Sequence, residues 1–351
     1  MKTRLTALAV LTSTLLVGCG SEETTATPPT ATTGKLNLGV SDAPVDDAME
    51  VVLGFKDVVL VPIDPQSGAK TGDPIALDVS GEDEELRQID LMEYQGSNAE
   101  TIIRDYEIPT GHYALCLYAK DGLTADDTTS YVRKTDGNLK GLVVPNKGSC
   151  LGYKPDDKDQ GTLVFAKPSE SIEIMAGFNS YIVEFDLRKA LTDPTGKEHM
   201  LMNRNGVALV NASESGHIRG KVDTMQYQAC EADSASYNAI GGAEPVHAVY
   251  LYAGEMDRTT MGDVGSDSER VAPVSVANVN ESVDQDNNTV YEYEFGYVGP
   301  GSYSIGYTCT AYIDQPETEE TAEDGFLIYQ HYVPVEVKEG EFTEQDITPI
   351  L

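Results

Sequence analysis

The chain has 351 residues, 40% of them hydrophobic, enough for two domains with cores of their own. Its 58 acidic side chains against 24 Lys and Arg give a formal charge of -34. A field of that sign repels phosphate backbones and anionic head groups, which argues against nucleic acid as a partner and serves solubility first.

Residues 1–18 read as an export signal. Lys2 and Arg4 form its positive end, and "LTALAVLTSTLLV" is an apolar segment of 13 residues, short for a membrane span. The run Leu16-Val17-Gly18-Cys19 resembles the lipobox of bacterial lipoproteins. That resemblance implies acylation of Cys19, cleavage before it, and a membrane partner reached through lipid; several acyl chains make a stable anchor where one does not. Gly20, where an Asp would favour inner-membrane retention, points to the outer membrane. Residues 19–33 are then the lipidated cysteine and a tether. "GSEETTATPPTATT" cannot pack a core, and its residues span at most about 45–50 Å.

From residue 34 the pattern is that of an all-β protein. Leu36, Leu38 and Val40 alternate in "KLNLGVS", and similar runs follow at "EVVLGFKDVVLVPI", "YALCLYA", "YIVEFDL", "HAVYLYA", "VYEYEFGYV", "YSIGYTC" and "VPVEVK". Two weaker helical segments interrupt them: "SNAETIIRDY", residues 97–106, and a single turn in "DLRKALTD", residues 186–193. A local echo divides the chain. "IPTGHYALCLYA" at 108–119 is repeated in kind by "VGPGSYSIGYTCTAY" at 298–312, each a Pro/Gly turn, a Tyr, and a strand carrying a cysteine. Tyr113 or Tyr303 can pack there while its hydroxyl finds a partner at the corner. One such unit per domain predicts two consecutive antiparallel β-sandwiches, 34–213 and 214–351, divided within "NASESGH".

Lipidation of Cys19 leaves an even set of four cysteines in an oxidising compartment. Three pairings exist. Cys116–Cys150 and Cys230–Cys309 keep each bridge inside one domain and are the expected ones. No Cys-x-x-Cys spacing or nearby histidine pattern suggests a zinc site.

Signs of catalysis are scarce. The five histidines, His112, His199, His217, His247 and His331, form no metal or nucleophile motif, and there is no phosphate loop or Gly-x-Ser-x-Gly elbow. Structural or solvated roles are expected for them. No catalytic residue and no cofactor are assigned. Calcium is the one ion with suitable donors: Asp284, Asp286 and Asn288 alternate in "DQDNN", with "DDKDQG" at 156–161 and "DVGSDSE" at 263–269 as weaker runs. Tyr291, Tyr293, Phe295 and Tyr297 alternate against Glu292 and Glu294, which predicts a core-facing aromatic row.

Four segments in order carry a family resemblance. "GKLNLGVSDAPVDDAMEVVLGFKDVVLVP" at 34–62, with its Asp42-Ala43-Pro44 turn, resembles the opening of the family called domain of unknown function 4382. "IDLMEYQG" at 89–96, the Pro-x-Gly-x-Tyr strand, and "SYIVEFDLRKAL" at 180–191, where Glu184 replaces an Asp, resemble its later segments. Residues 216–351 resemble a prealbumin-like or carboxypeptidase-regulatory-like sandwich. Both likenesses imply an exported accessory domain without an established catalytic residue. The expectation is a non-enzymatic envelope lipoprotein that binds a protein or glycan or acts as a scaffold; an envelope glycan hydrolase using carboxylates and a calcium-dependent adhesin are the alternatives.

Overall fold

The computed structural model describes residues 32–43, 45, 48–80, 86–235, 244–266, 270–314 and 326–349. Cys19 lies outside them, as do Pro44 and the last three residues of "DVGSDSE".

The chain is almost all strand. The first group is β1 (Thr33–Ala43), β2 (Ala48–Pro62), β3 (Ile75–Asp78), β4 (Arg87–Asp90), β5 (Glu100–Pro109), β6 (Gly111–Lys120) and β7 (Tyr131–Lys134). It continues with β8 (Leu139–Val143), β9 (Gln160–Phe165), β10 (Ile172–Ile174), β11 (Gly177–Asp186), β12 (Leu191–Thr192), β13 (His199–Met202) and β14 (Val207–Asn211). The second group is β15 (Gly216–Val222), β16 (Ala248–Ala253), β17 (Ser275–Asn278), β18 (Asn280–Val283), β19 (Thr289–Val298), β20 (Gly301–Thr308), β21 (Gln330–Val337) and β22 (Phe342–Glu344).

Each group builds two facing sheets. In the first sandwich, β14-β11-β1-β5 packs on a ten-stranded sheet centred on β2 and β6. Leu36, Leu38 and Val40 from one sheet meet Leu53, Phe55, Leu115 and Leu117 from the other in one core. In the second, β18-β19-β15-β22 packs on β17-β16-β20-β21, with Ile218, Tyr293 and Phe295 against Val249, Leu251, Ile305 and Tyr307. Pairing is antiparallel except for β1–β11, β8–β13 and β15–β22, which run parallel.

Two central strands are buried on both faces, which explains their unbroken apolar runs. In β6 the residues Ala114, Cys116 and Tyr118 point away from the core into a second cluster that holds Cys150. In β16, Ala248, Tyr250 and Tyr252 do the same against Phe326 and Ile328.

The two disulfides are Cys116–Cys150 and Cys230–Cys309, as expected. The corner echo is structural as well. β5 and β6 belong to opposite sheets of the first sandwich, and β19 and β20 to opposite sheets of the second. The Tyr113 hydroxyl donates to Pro109 O at 2.7 Å, and Tyr303 donates to Gly299 O at 2.8 Å. Gly111 and Gly301 have φ of 148° and 159°, values that a side chain two residues before each tyrosine would resist.

One helical expectation fails. Residues 100–109 form β5, paired with β1, instead of a helix. Thr101, Ile102 and Ile103 are β-branched, and partnership with a buried strand outweighs a short helical periodicity. The turn in 186–193 is present as α1 (Leu187–Ala190), capped by Asp186. A second helix, α2 (Thr224–Asp233), has no strong apolar stripe to announce it. Asp223 caps it, Cys230 staples it, and Tyr227 stacks on His247 at 3.5 Å.

Candidate functional site

Three of the motifs that are far apart in sequence meet at the end of β1. Parallel pairing of β1 with β11 sets Ser41 beside Glu184, Asp42 beside Phe185 and Ala43 beside Asp186. The turn after β4 adds Asp90, whose carboxylate accepts from the Val51 and Met92 amides at 3.0 and 3.1 Å. Ser41 Oγ donates to Asn98 O at 2.7 Å, with Tyr94 O at 3.1 Å, and so ties the 94–98 loop to the strand.

Asp42 is 1% exposed, and neither carboxylate oxygen makes a well-formed hydrogen bond, although the Leu187 amide lies close; Oε2 of Glu184 is buried and unpartnered. Burial is the first cause that lifts Asp42 well above the usual carboxylate range, followed by the charges of Glu184, Asp186 and Asp90, with the Leu187 amide acting the other way. Burial also pushes Glu184 up to about 8, with the neighbouring Ser41 hydroxyl acting the other way. Burial without a strong partner disfavours the charged carboxylate, so the protonated form of both acids is favoured in the folded chain. Asp186 is different: it caps α1 and pairs with Lys189 Nζ at 2.9 Å.

The cluster lies against the joint between the sandwiches. Ser97 N donates to Glu294 Oε1 at 2.7 Å, and the Tyr297 hydroxyl donates to Ser97 O at 2.8 Å. Lys189 Nζ donates to Pro273 O and Val274 O, each at 2.8 Å, and Arg188 reaches Asn278 at 3.2 Å. Gly296 packs on the Gly96 carbonyl so closely that a Cβ there would overlap it. Residues 32–351 accordingly form one compact unit.

Beyond the joint, the outer face of the β18-β19-β15-β22 sheet is an open polar trough. Its main depression, about 550 Å³, runs past Arg219, Lys221, Asn280, Glu292 and Glu344. A shallower one, sharing Lys221 and Glu292, continues it to the β18–β19 hairpin, and another, sharing Asn280 and Glu294, continues it to Gln95 and Asn98 at the joint. The sheet register makes this face: Arg219 lies opposite Glu294, and Lys221 opposite Glu292. Lys221 pairs with Glu292 at 3.0 Å and Arg219 with Glu344 at 2.6 Å. None of the three depressions is lined by Asp42, Glu184 or Asp186.

The residues singled out in the sequence fall as follows. Asp284 caps the β18–β19 hairpin, its carboxylate accepting from the amides of Asp286 and Asn288 and from the Asn288 side chain at 2.8–3.1 Å. Those hydrogen bonds hold its pKa below the usual range. Among the described residues no three His, Cys, Asp or Glu side chains are grouped to hold a metal ion. In "DDKDQG", Asp157 accepts from Lys120 at 2.8 Å and from Gln160 at 3.3 Å. Tyr293 and Phe295 are core residues, as the alternation predicts, but a register shift opposite Gly216–Ile218 sends Tyr297 to the joint. His247 is buried between Tyr307 Oη at 2.6 Å and Glu231 Oε1 at 3.3 Å. Burial lowers it to about 4, so the ring is neutral. A neutral ring that serves both contacts donates from Nε2 to the carboxylate and accepts at Nδ1 from the phenol. The buried acid pair and the trough were missed in the sequence. Asp42, Glu184, Glu292 and Glu294 stand in quoted motifs, but only the strand register brings them to their neighbours.

Among the described residues no helix is long and apolar enough to cross a membrane. No curated protein matches the sequence. Solved structures that resemble the chain weakly include two from Bacteroides. One is a candidate cell adhesion protein from Bacteroides fragilis NCTC 9343, 9% identical, covering 90% of this chain and 92% of that one, with a TM-score of 0.19. The other is a candidate adhesin from Bacteroides ovatus ATCC 8483, 11% identical, covering 96% and 100%, with a TM-score of 0.16. Scores that low carry no argument about function. Residues 33–203 match the model of the family described as Domain of unknown function (DUF4382), so the family likeness lies in the first sandwich, with Asp42, Asp90, Glu184 and Asp186 inside it.

Proposed function

We propose that the chain is a non-enzymatic binding protein of the cell envelope, held at the outer membrane by acylated Cys19, that presents the trough of its second sandwich to a hydroxyl- and amide-bearing ligand such as a polysaccharide. The observation that carries this is the trough itself. It is open and polar; its two bases, Arg219 and Lys221, are already paired with Glu344 and Glu292, while Glu294 and Asp346 leave the main depression net acidic, so it suits a neutral polar polymer better than an anionic one. The only carboxylic acids of the described residues raised well out of their usual range by burial beside other acids, Asp42 and Glu184, line none of the three depressions. A glycan hydrolase would need such an acid at its binding surface.

The test is binding of envelope polysaccharides to the full chain by calorimetry, with Arg219→Ala and Asn280→Ala compared with the parent. Loss of binding in the variants is expected. Release of shortened glycan during incubation would instead make the chain a hydrolase, and unchanged binding in both variants would move the site off the trough. A chelator is expected to leave binding unchanged, because the Asp284 carboxylate is already engaged by its own hairpin; loss of binding on chelation would restore the calcium-dependent adhesin. The anchor has a separate test: Cys19→Ser should move the protein out of the membrane fraction.

A further inference from the structure

The chain crosses from β10 in one sheet of the first sandwich to β11 in the other through Ile174-Met175-Ala176-Gly177-Phe178. Ile174 is buried, but the next four residues are all exposed, Met175 at 56% and Phe178 at 74%. Phe178 is the most exposed large apolar side chain among the described residues. Isolated apolar residues on a surface need no explanation, whereas a consecutive exposed run is a liability unless it contacts something.

Its position says what that is. In the β1–β11 ladder Gly34 lies opposite Gly177 and Lys35 opposite Phe178. A side chain on Gly34 would strike the Met175 carbonyl, so this connection and the start of β1 pack backbone against backbone. The chain arrives at β1 from the segment that begins at Cys19. The uncharged tip therefore sits where the tether enters the folded body. The Lys35 ammonium stands 5.3 Å from the centre of the Phe178 ring. Of the acids near this end, Glu107 accepts a hydrogen bond from Thr33 at 2.8 Å, and Glu173 stands 3.7 Å from His112. An exposed ring and thioether with a lysine beside them suit a bilayer interface. The apolar groups enter the acyl boundary, and the ammonium reaches up to the head-group phosphates.

We propose that residues 175–178, with Lys35, dock on the lipid surface beside the anchor, so that the first sandwich stands on the membrane by this inter-sheet turn. This rests on the lipid anchor proposed above.

The chain has no tryptophan, so Phe178→Trp introduces a single reporter. The full acylated chain is reconstituted into phosphatidylethanolamine–phosphatidylglycerol vesicles with brominated or plain acyl chains. Quenching of the Phe178→Trp emission by the brominated lipid is expected, with none for Val283→Trp, which is 67% exposed on the second sandwich. Met175→Trp reads the same tip if Phe178→Trp fails to fold. Protein that floats with the vesicles but is unquenched at both tip positions would overturn the docking and leave the anchor standing. Protein that does not float would overturn both.

Discussion

Where β5 crosses to β6 and where β19 crosses to β20, the two sandwiches turn the same corner with the same tyrosine hydroxyl on a carbonyl four residues back. Away from the corner their interiors treat buried carboxylic acids differently. In the second sandwich the buried rings are matched: His247 with Tyr307 and Glu231, Tyr250 with Asp314 at 2.7 Å, and Tyr252 with Gly262 O at 2.6 Å. In the first sandwich Asp42 makes no well-formed hydrogen bond with either oxygen, and Glu184 leaves one bare. A satisfied network can sit in a core at little cost, while burial of an unsatisfied acid favours the neutral form. The unsatisfied pair also sits beside the joint, where the first sandwich touches the second. The burden is thus local to the interface.

The staples test the comparison most severely. Cys230–Cys309 spans 79 residues and Cys116–Cys150 spans 34. Loop entropy makes them worth about 4.5 and about 4 kcal/mol respectively. The Cys230→Ala/Cys309→Ala variant should lower the urea midpoint more than Cys116→Ala/Cys150→Ala. The latter bridge lies on the outer face of β6, so its loss should also raise hydrogen exchange in residues 144–160 ahead of the core.

Opposite responses to pH come next. Glu184 titrates at about 8 in the folded chain against an ordinary 4.5. The folded chain keeps a proton that the unfolded chain releases above pH 4.5. Its contribution is whole below 4.5 and is lost as pH rises through about 8, and Asp42 acts in the same direction. The loss between pH 5 and pH 9 is on the order of a few kcal/mol. Glu184→Gln should remove most of that slope and raise the melting temperature at pH 9. His247 has the reverse sign. Its folded value of about 4 lies below the ordinary 6.5, so stability is present above 6.5 and is lost as pH falls through 4. Exchange protection corrected for intrinsic rates should fall in the first sandwich towards pH 9 and in the second towards pH 4; a common response in both would dissolve the distinction.

The legibility of these parts follows the distance over which they are encoded. The corner was readable because Pro, Gly and Tyr lie within six residues. The disulfides followed from parity and domain assignment. Alternation placed Tyr293 and Phe295 in the core, but it could not foresee the register shift that sends Tyr297 to Ser97. Asp42 read as a turn residue and Glu184 as a strand residue; only parallel pairing between strands some 140 positions apart makes them neighbours. Arg219 and Lys221 likewise gain meaning from Glu292 and Glu294 on another strand. Helix α2 was silent because a disulfide and ring stacking hold it, not an apolar stripe.

A smaller change should separate the joint from both cores. Gly296→Ala forces a methyl onto the Gly96 carbonyl, a backbone atom that cannot swing aside. A cost of about 1–3 kcal/mol is expected. Protection should fall in residues 94–98 and 294–297 while β6 and β16 keep theirs. Equal loss throughout would mean that the sandwiches depend on one another to fold.

The smallest effects belong to the shared corner and ask whether it is equally important on both sides. Tyr113→Phe and Tyr303→Phe each delete one hydroxyl and keep the ring. The Tyr113 bond is partly buried, so its loss leaves the Pro109 carbonyl poorly solvated and should cost about 1 kcal/mol. The Tyr303 bond is exposed, and water can replace the phenol at Gly299 O, so the cost there should be a few tenths of a kcal/mol. Equilibrium urea unfolding of the two variants against the parent reads the difference. Equal costs would show that the hydroxyl matters through the turn geometry common to both corners, since burial differs between them.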